Sequence, residues 1–375
     1  MKSIYFDNAA STKVDPRVFE AMKPYFCESY ANASALHSPA QEAKVAVEKA
    51  RESICELLGA DDPSEIIFTS GATEGNDTVL FSFDGTMLVS AIEHPSVYIP
   101  ACESGRAFFI PVDESGTLIL DEYKRMLEIH EPQLVSVMLV NNEIGSVQDI
   151  DTIGAMAHET GAKFHSDMTQ GIGKYPANVS ARPIDYATLS GHKIHAPKGI
   201  GALWVRTGAP LKRFMVGGTH EAGRRSGTLN VPGIVGLGEA ARIILQEKDE
   251  HERLRRMKRR IVRAVLDSIP DVKINGQENG APHILSISFF RTEGESIIIN
   301  LDAQGICVTA GSACSSGGNK KSHVLTAIGL PDEWLRGTVR VSLGRFNTED
   351  EVDSLIEALI GCVQSVRSLS GYVGA

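Results

Sequence analysis

Six short apolar runs punctuate the first two thirds of the chain: "EIIFT" (65–69), "TMLVSAI" (86–92), "LVSVMLV" (134–140), "AKFHSDM" (162–168), "YATLS" (186–190) and "GALWV" (201–205). Each is short enough for a strand, and several are separated by helical patterns such as "DIDTIGAMAHETG" (149–161). A strand that is apolar on both faces must be covered on both. Intervening helices provide that cover and return the chain so that successive strands run the same way, so the rhythm predicts an α/β architecture with a mostly parallel sheet.

Local signals agree with this reading. "SPAQEAKVAVEKARESICELLGA" predicts a helix, with Ser38 and Gln41 as a capping box, Pro39 in the first turn and Gly59 as the stop. Its apolar face is Ala43, Ala46 or Val47, Ala50, Ile54, Leu57 and Leu58. Beyond about residue 250 the rhythm changes to a long charged helix, a strand "HILSISFF", a helix near "ESIIINLDAQG", then "VRVSL" and a terminal helix. Thr348 and Glu351 cap that last helix, and Val352, Leu355, Ile356, Leu359 and Val363 recur at helical spacing. We expect a large domain over residues 12–249 and a smaller α+β domain formed by 1–11 and 250–375, packed together rather than tethered.

The 375 residues are 42% hydrophobic and 22% charged, ordinary for a globular enzyme. A net charge of −10 disfavours a sequence-independent grip on nucleic acid. The basic stretch "RLRRMKRRIVR" (253–263) has helical apolar spacing and follows acidic residues, so it reads as a solvated helix face. The N-terminal residues lack a hydrophobic signal core and no apolar run approaches a membrane span, which predicts a cytoplasmic protein without membrane contact. Six scattered cysteines (27, 55, 102, 307, 314, 362) with no Cys-x-x-Cys pair suggest reduced thiols, with neither disulfides nor a metal site.

Chemistry concentrates where predicted strands end. "FTSGATEGN" has the strand, glycine turn and helix start that turn backbone N–H groups towards an anion, with hydroxyls from Ser70 and Thr73. "LSGHKIHAPKGIG" puts Lys193 in a turn beside Ser190 and His192, and Asp167 ends "AKFHSD" about one helix-and-strand unit earlier. Singly, each is an ordinary polar loop. Together a lysine, a carboxylate and a phosphate cradle are what pyridoxal 5′-phosphate requires.

The order "YFDNAAST", "FTSGATEGN", "EH", "NNEIG", "SDMTQ", "SGHK", "RRSGT", "GSACSS" and "VRVSLGRF" resembles the pyridoxal-phosphate cysteine desulfurases of the class V aminotransferase group. The resemblance covers nearly the whole chain. It implies a fold type I transferase, with a mostly parallel seven-stranded sheet flanked by helices and a smaller α+β domain carrying a catalytic cysteine. It assigns Lys193 the covalent link to the cofactor, Asp167 the pyridine nitrogen, and Asn142 and Gln170 the ring hydroxyl. Ala72, Thr73, Ser190 and His192 resemble the phosphate cup, and His94 a ring-stacking residue that assists proton transfer. Thr228 matches a residue that completes the neighbouring subunit's phosphate site, which implies an obligate homodimer. Arg340, helped by Asn32, matches the clamp for the substrate carboxylate. Arg345 is a weaker candidate, since an arginine after a strand needs no function.

By this resemblance L-cysteine is the substrate, alanine leaves, and the sulfur passes to Cys314 as a persulfide for an acceptor protein such as an iron–sulfur scaffold or a tRNA-thiolation relay. Cys314 lies in "TAGSACSSGGNKK" (309–321), where glycines and serines offer little to pack against, and the stretch up to "HVL" has the length of the family's long-loop branch. Cys307, Cys27, Cys55, Cys102 and Cys362 read instead as structural or surface thiols. Two departures stand out: Ala33 and Ala35 where the family has Pro and Ser, and a shortened stretch between Glu74 and His94. The rivals are a selenocysteine lyase or an aminotransferase on the same scaffold, a non-catalytic paralogue that binds an acceptor, and a Cys/His hydrolase. The last lacks a nucleophile elbow in its sequence.

Overall fold

The computed structural model describes residues 3–247, 249–310 and 321–369. The chain starts with β1 (Ile4–Tyr5), α1 (Pro16–Met22), α2 (Pro24–Cys27) and α3 (Ser38–Leu58). It then runs through β2 (Ile66–Thr69), α4 (Ala72–Leu80), β3 (Met87–Ser90), α5 (Pro95–Ser104), β4 (Ala107–Ile110), α6 (Leu120–His130), β5 (Leu134–Ser136), α7 (Ile150–Glu159), β6 (Lys163–Asp167), β7 (Tyr186–Ser190) and β8 (Gly201–Val205). After α8 (Val231–Gln246) and α9 (Glu250–Ser268) come β9 (Val272–Asn275), β10 (Ile284–Phe289), α10 (Gly294–Asp302) and β11 (Ile306–Cys307). The elements α11 (His323–Ala327), α12 (Asp332–Leu335), β12 (Thr338–Ser342) and α13 (Glu349–Leu369) follow.

The central sheet has seven strands in the order β2-β8-β7-β6-β5-β3-β4. All pairs are parallel except those made by β8, which runs against both β2 and β7. Its strands are apolar on both faces for the reason the sequence suggested. Ile66, Phe68, Ala202 and Trp204 face one core with α3 and α8, whereas Ile67, Leu203 and Val205 face another with α4 and α5.

A separate apolar core joins Phe6 to Leu254, Met257, Ile261, Ile287, Val341, Leu355 and Leu359. It sits between the antiparallel β12-β10-β9 sheet and the helices α9, α10 and α13. Thr348 and Glu351 form the reciprocal capping box: the Thr348 N–H donates to Glu351 Oε2 at 3.2 Å and the Glu351 N–H to Thr348 Oγ1 at 3.3 Å. The basic face of α9 is used locally. Arg253 donates to the carbonyls of Asn347, Gly344 and Arg345, Lys258 to that of Ala281, and Arg260 pairs with Glu349 and Asp353.

Two expectations change. Gly59 ends α3 in the left-handed region as expected (φ 62°), but His37, not Ser38, caps its start: His37 Nδ1 accepts the Ala40 N–H at 3.3 Å. Gln41 instead donates to Ala35 O at 2.8 Å, which ties the helix to the loop before it. The edge strand β4, "AFFI", was not among the expected runs; only Ile110 in it is buried, so its periodicity is weak.

Candidate active site

Because β8 alone is reversed, β2, β3, β5, β6 and β7 all end at the same edge of the sheet. Ligands bind at this carboxyl edge in α/β folds, and the sequence-derived site residues follow these strand ends. The reversed β8 begins there, and its Gly201 presses on the turn at Gly71. A Cβ at Gly201 would stand 2.5 Å from Leu189 O and 2.8 Å from Gly71 Cα, so no larger residue fits. This contact sets the start of α4, with Ala72 and Thr73, beside Ser190: a Cβ on Gly71 would lie 3.7 Å from Ser190 Oγ.

Glu74 braces the turn. Its Oε2 accepts the Ser70 N–H at 2.7 Å, and Arg225 binds it through Nε at 2.8 Å and Nη2 at 3.1 Å. Burial pushes this carboxyl up, but Arg225 and the Ser70 N–H outweigh it and hold it below the usual range. The first N–H groups of a helix lack intrahelical partners, so Ala72 and Thr73 offer theirs to an anion.

Asp167, at the end of β6, is buried and accepts Asn76 Nδ2 on Oδ2 and the Thr169 N–H on Oδ1, both at 2.9 Å. Lys193 follows β7, and its Nζ donates to Ala9 O at 2.6 Å and Ala10 O at 2.8 Å. Gln170 Nε2 also donates to Ala9 O, at 2.9 Å. The "NAA" segment therefore lies directly against the lysine. His192 Nδ1 lies 3.3 Å from Ser11 Oγ, and burial, aided by Lys193, lowers its pKa to about 4.

His94 caps α5: its Nδ1 accepts the Ser96 N–H at 3.1 Å and lies 2.8 Å from Ser96 Oγ, which leaves the ring proton on Nε2. Burial lowers its pKa; Asp167 opposes the shift, and Lys193, His323 and Arg340 add to it. Arg340, on β12, reaches in from the second core, with Nη1 on Asn142 O and Nη2 on Asp7 Oδ1, both at 2.8 Å. Its Nε is buried and has no partner among the described residues, and the same holds for Asn142 Oδ1.

Other sequence candidates fall elsewhere. Asn32 is exposed and accepts the Ser34 N–H at 3.0 Å, whereas the guanidinium partners of Arg340 among the described residues are Asn142 and Asp7. Thr228 is exposed. Arg345 pairs with Asp15 at 3.2 Å and Glu250 at 3.1 Å, a structural ion cluster outside the site. Cys314 lies outside the described residues. Sequence reasoning missed Asp7, Asn76 and Glu93. Glu93, next to His94, is fully buried with Oε1 on the Met138 N–H at 2.6 Å, and burial raises its pKa well above the ordinary range. Only its adjacency in "EH" hinted at a role.

The donor set fits pyridoxal phosphate: a buried acid, a lysine, an anion-facing helix start next to a glycine cradle, and the buried, unpartnered Asn142 Oδ1. With the sheet topology, this defines the class, a pyridoxal-phosphate enzyme of fold type I. The family profile described as "Aminotransferase class-V" matches residues 4–355. A "Cysteine desulfurase" of Nostoc sp. is 42% identical, covering 99% of this chain and 96% of its own. "Cysteine desulfurase NifS" of Azotobacter vinelandii is 37% identical over 99% and 95%. Among solved structures, a "NIFS-LIKE PROTEIN" superposes with a TM-score of 0.90 at 33% identity, covering 97% of this chain and 100% of that one. "SspA in complex with cysteine" gives 0.80 at 33% identity over 92% and 100%. The chain belongs to the class-V aminotransferase family, on its cysteine desulfurase branch.

Proposed function

We propose that this protein converts L-cysteine to L-alanine and holds the sulfur as a persulfide on Cys314 for an acceptor protein of iron–sulfur cluster assembly or tRNA thiolation. The observation that carries the reading is that Lys193, Gln170 and Arg340 all reach the one segment 7–10: Lys193 Nζ and Gln170 Nε2 donate to Ala9 O, and Arg340 Nη2 donates to Asp7 Oδ1. When bound, pyridoxal phosphate supplies an electron sink for the charge left at Cα after an amino acid loses its proton.

The chain's own groups supply the rest. Asp167, held by Asn76 and Thr169, would hold the ring nitrogen, and Asn142 and Gln170 would serve the ring hydroxyl. Ala72, Thr73, Ser190 and His192 would form the phosphate cup. Arg340 Nε–H is the donor available to the substrate carboxylate. Lys193 Nζ takes the Cα proton, and His94 moves a proton at Nε2. The Cys314 thiolate then attacks the substrate sulfur: an S–S bond forms, the Cβ–S bond breaks, and alanine leaves with the protons, so no outside oxidant is needed.

Three further features support the setting. Tyr30, Leu36 and Val216 are 76%, 94% and 79% exposed, unusual for large apolar side chains, and favour a homodimer in which exposed Thr228 serves the other subunit's cup. The second core, drawn from Phe6 and from residues beyond 250, supports division into 12–249 and 1–11 with 250–375, with Ala9, Ala281 and Ile284 packing into the first core across that boundary. No helix among the described residues is long and apolar enough to cross a membrane, and we place the protein in the cytoplasm. The test is Cys314→Ser with sulfur-labelled cysteine: protein-bound sulfur should vanish along with turnover, and undiminished alanine release would reject the role of Cys314.

A further inference from the structure

Asn76 lies on the inner side of α4, fully buried. Every polar atom of its amide is engaged. Oδ1 accepts the Thr188 hydroxyl at 2.6 Å, and the two Nδ2 hydrogens go to Asp167 Oδ2 and Ser96 Oγ, both at 2.9 Å. Ser96 Oγ has thereby accepted a hydrogen bond, and directs its own hydrogen to His94 Nδ1, 2.8 Å away. Four elements, α4, α5, β6 and β7, contribute one residue or more to this chain of contacts.

The chain has a direction. A carboxylate only accepts, so turning the Asn76 amide over would set its oxygen against Asp167 Oδ2, acceptor facing acceptor. In that orientation Ser96 would donate to Asn76 and its hydroxyl would be lost to His94. Asp167 thus fixes the amide, the amide fixes the serine hydroxyl, and the hydroxyl helps to keep the His94 proton on Nε2. Thr188 closes the other end by donating to Oδ1.

We propose that Asn76 is a positioning residue that couples the two halves of the site, aiming the Asp167 carboxylate and, through the Ser96 hydroxyl, reinforcing the His94 tautomer that the Ser96 N–H also favours. This rests on the reading of Asp167 and His94 as cofactor-facing groups given above. It adds that the two are not independent: a change that frees Asn76 disturbs both, whereas a change at Ser96 disturbs only the histidine.

The experiment uses the holoenzyme and two readouts besides turnover: the pH titration of the cofactor's visible absorption band, which reports the acid partner of the ring, and the 15N shifts of His94 in histidine-labelled protein, which report its tautomer. Asn76→Ala should lower kcat about tenfold or more, as expected for losing a hydrogen bond to a charged group. It should also move both readouts. Thr188→Val, nearly isosteric and lacking the donor, should move both in the same direction by less, and it remains informative where Asn76→Ala does not fold. Ser96→Ala should change the His94 shifts and leave the absorbance titration in place. Wild-type titration and wild-type His94 shifts in Asn76→Ala and Thr188→Val overturn the proposal, as does Ser96→Ala moving the absorbance titration as far as Asn76→Ala. A wild-type protein that never develops the visible band overturns the proposed function as well, which separates the two failures.

Discussion

Glu74→Ala removes the carboxylate that braces the turn before α4. Two kinds of interaction are lost. The Ser70 N–H bond at 2.7 Å is a part-buried hydrogen bond to a charged acceptor, worth about 1.5–3 kcal/mol. The Arg225 pair is mostly buried, with side chains 20% and 7% exposed, and with the desolvation of both groups set against its attraction it nets about 1 kcal/mol. The turn must be ordered for Ala72 and Thr73 to face a phosphate, so a loss of about 2.5–4 kcal/mol weakens cofactor binding by up to about 70- to 900-fold. Glu74→Gln keeps an acceptor for Ser70 and loses mainly the ion pair, about five- to tenfold. Titration of the apo-protein with pyridoxal phosphate, followed by absorbance, measures both. Since Glu74 sits below its usual pKa, the brace is fully present above the free glutamate value of about 4.3 and fails only as pH falls through the lower folded value, so this group leaves affinity flat across neutral pH. A Glu74→Ala protein within about twofold of wild type would refute the brace.

Two other outcomes follow from the geometry. Glu221 binds Arg51 through two 2.8 Å contacts and accepts the Phe68 N–H at 2.9 Å, all buried, so Glu221→Gln should destabilise by about 3–5 kcal/mol in urea unfolding. Adding Arg51→Met should recover part of this loss, and a single-variant cost below about 1 kcal/mol would sink the assignment. Because burial lowers the pKa of His94, an acid limb of kcat belonging to its neutral imidazole should lie below about pH 6.5 and disappear in His94→Asn; a limb above that value argues against it.

Much of this arrangement was legible before any coordinates. Short apolar runs announced the strands because helices cover both faces of the sheet, and the Thr348–Glu351 box needs only local spacing. His37 escaped because an imidazole cap resembles no common start signal, and β4 because an edge strand with one buried residue carries little period. Asp167 and Lys193 were visible as strand ends. Their supports were not: Asn76 meets Asp167 across 91 positions and Asp7 meets Arg340 across 333, and no local pattern encodes such pairings.

Those long separations govern when the site can exist. The segment holding Asp7, Ala9 and Ala10 leaves the ribosome long before Lys193, and earlier still than Arg340 and Ser342, whose hydroxyl receives the Ala9 N–H at 2.9 Å. Contacts between segments so far apart in sequence form late, after their intervening loops have been closed. The central sheet can assemble around Asp167 and Lys193 during synthesis, while the proposed substrate clamp, Arg340, waits for β12. On the proposed reading, a nascent chain would have its place for the cofactor before its grip on the amino acid, and sulfur chemistry would start only once translation has passed Arg340.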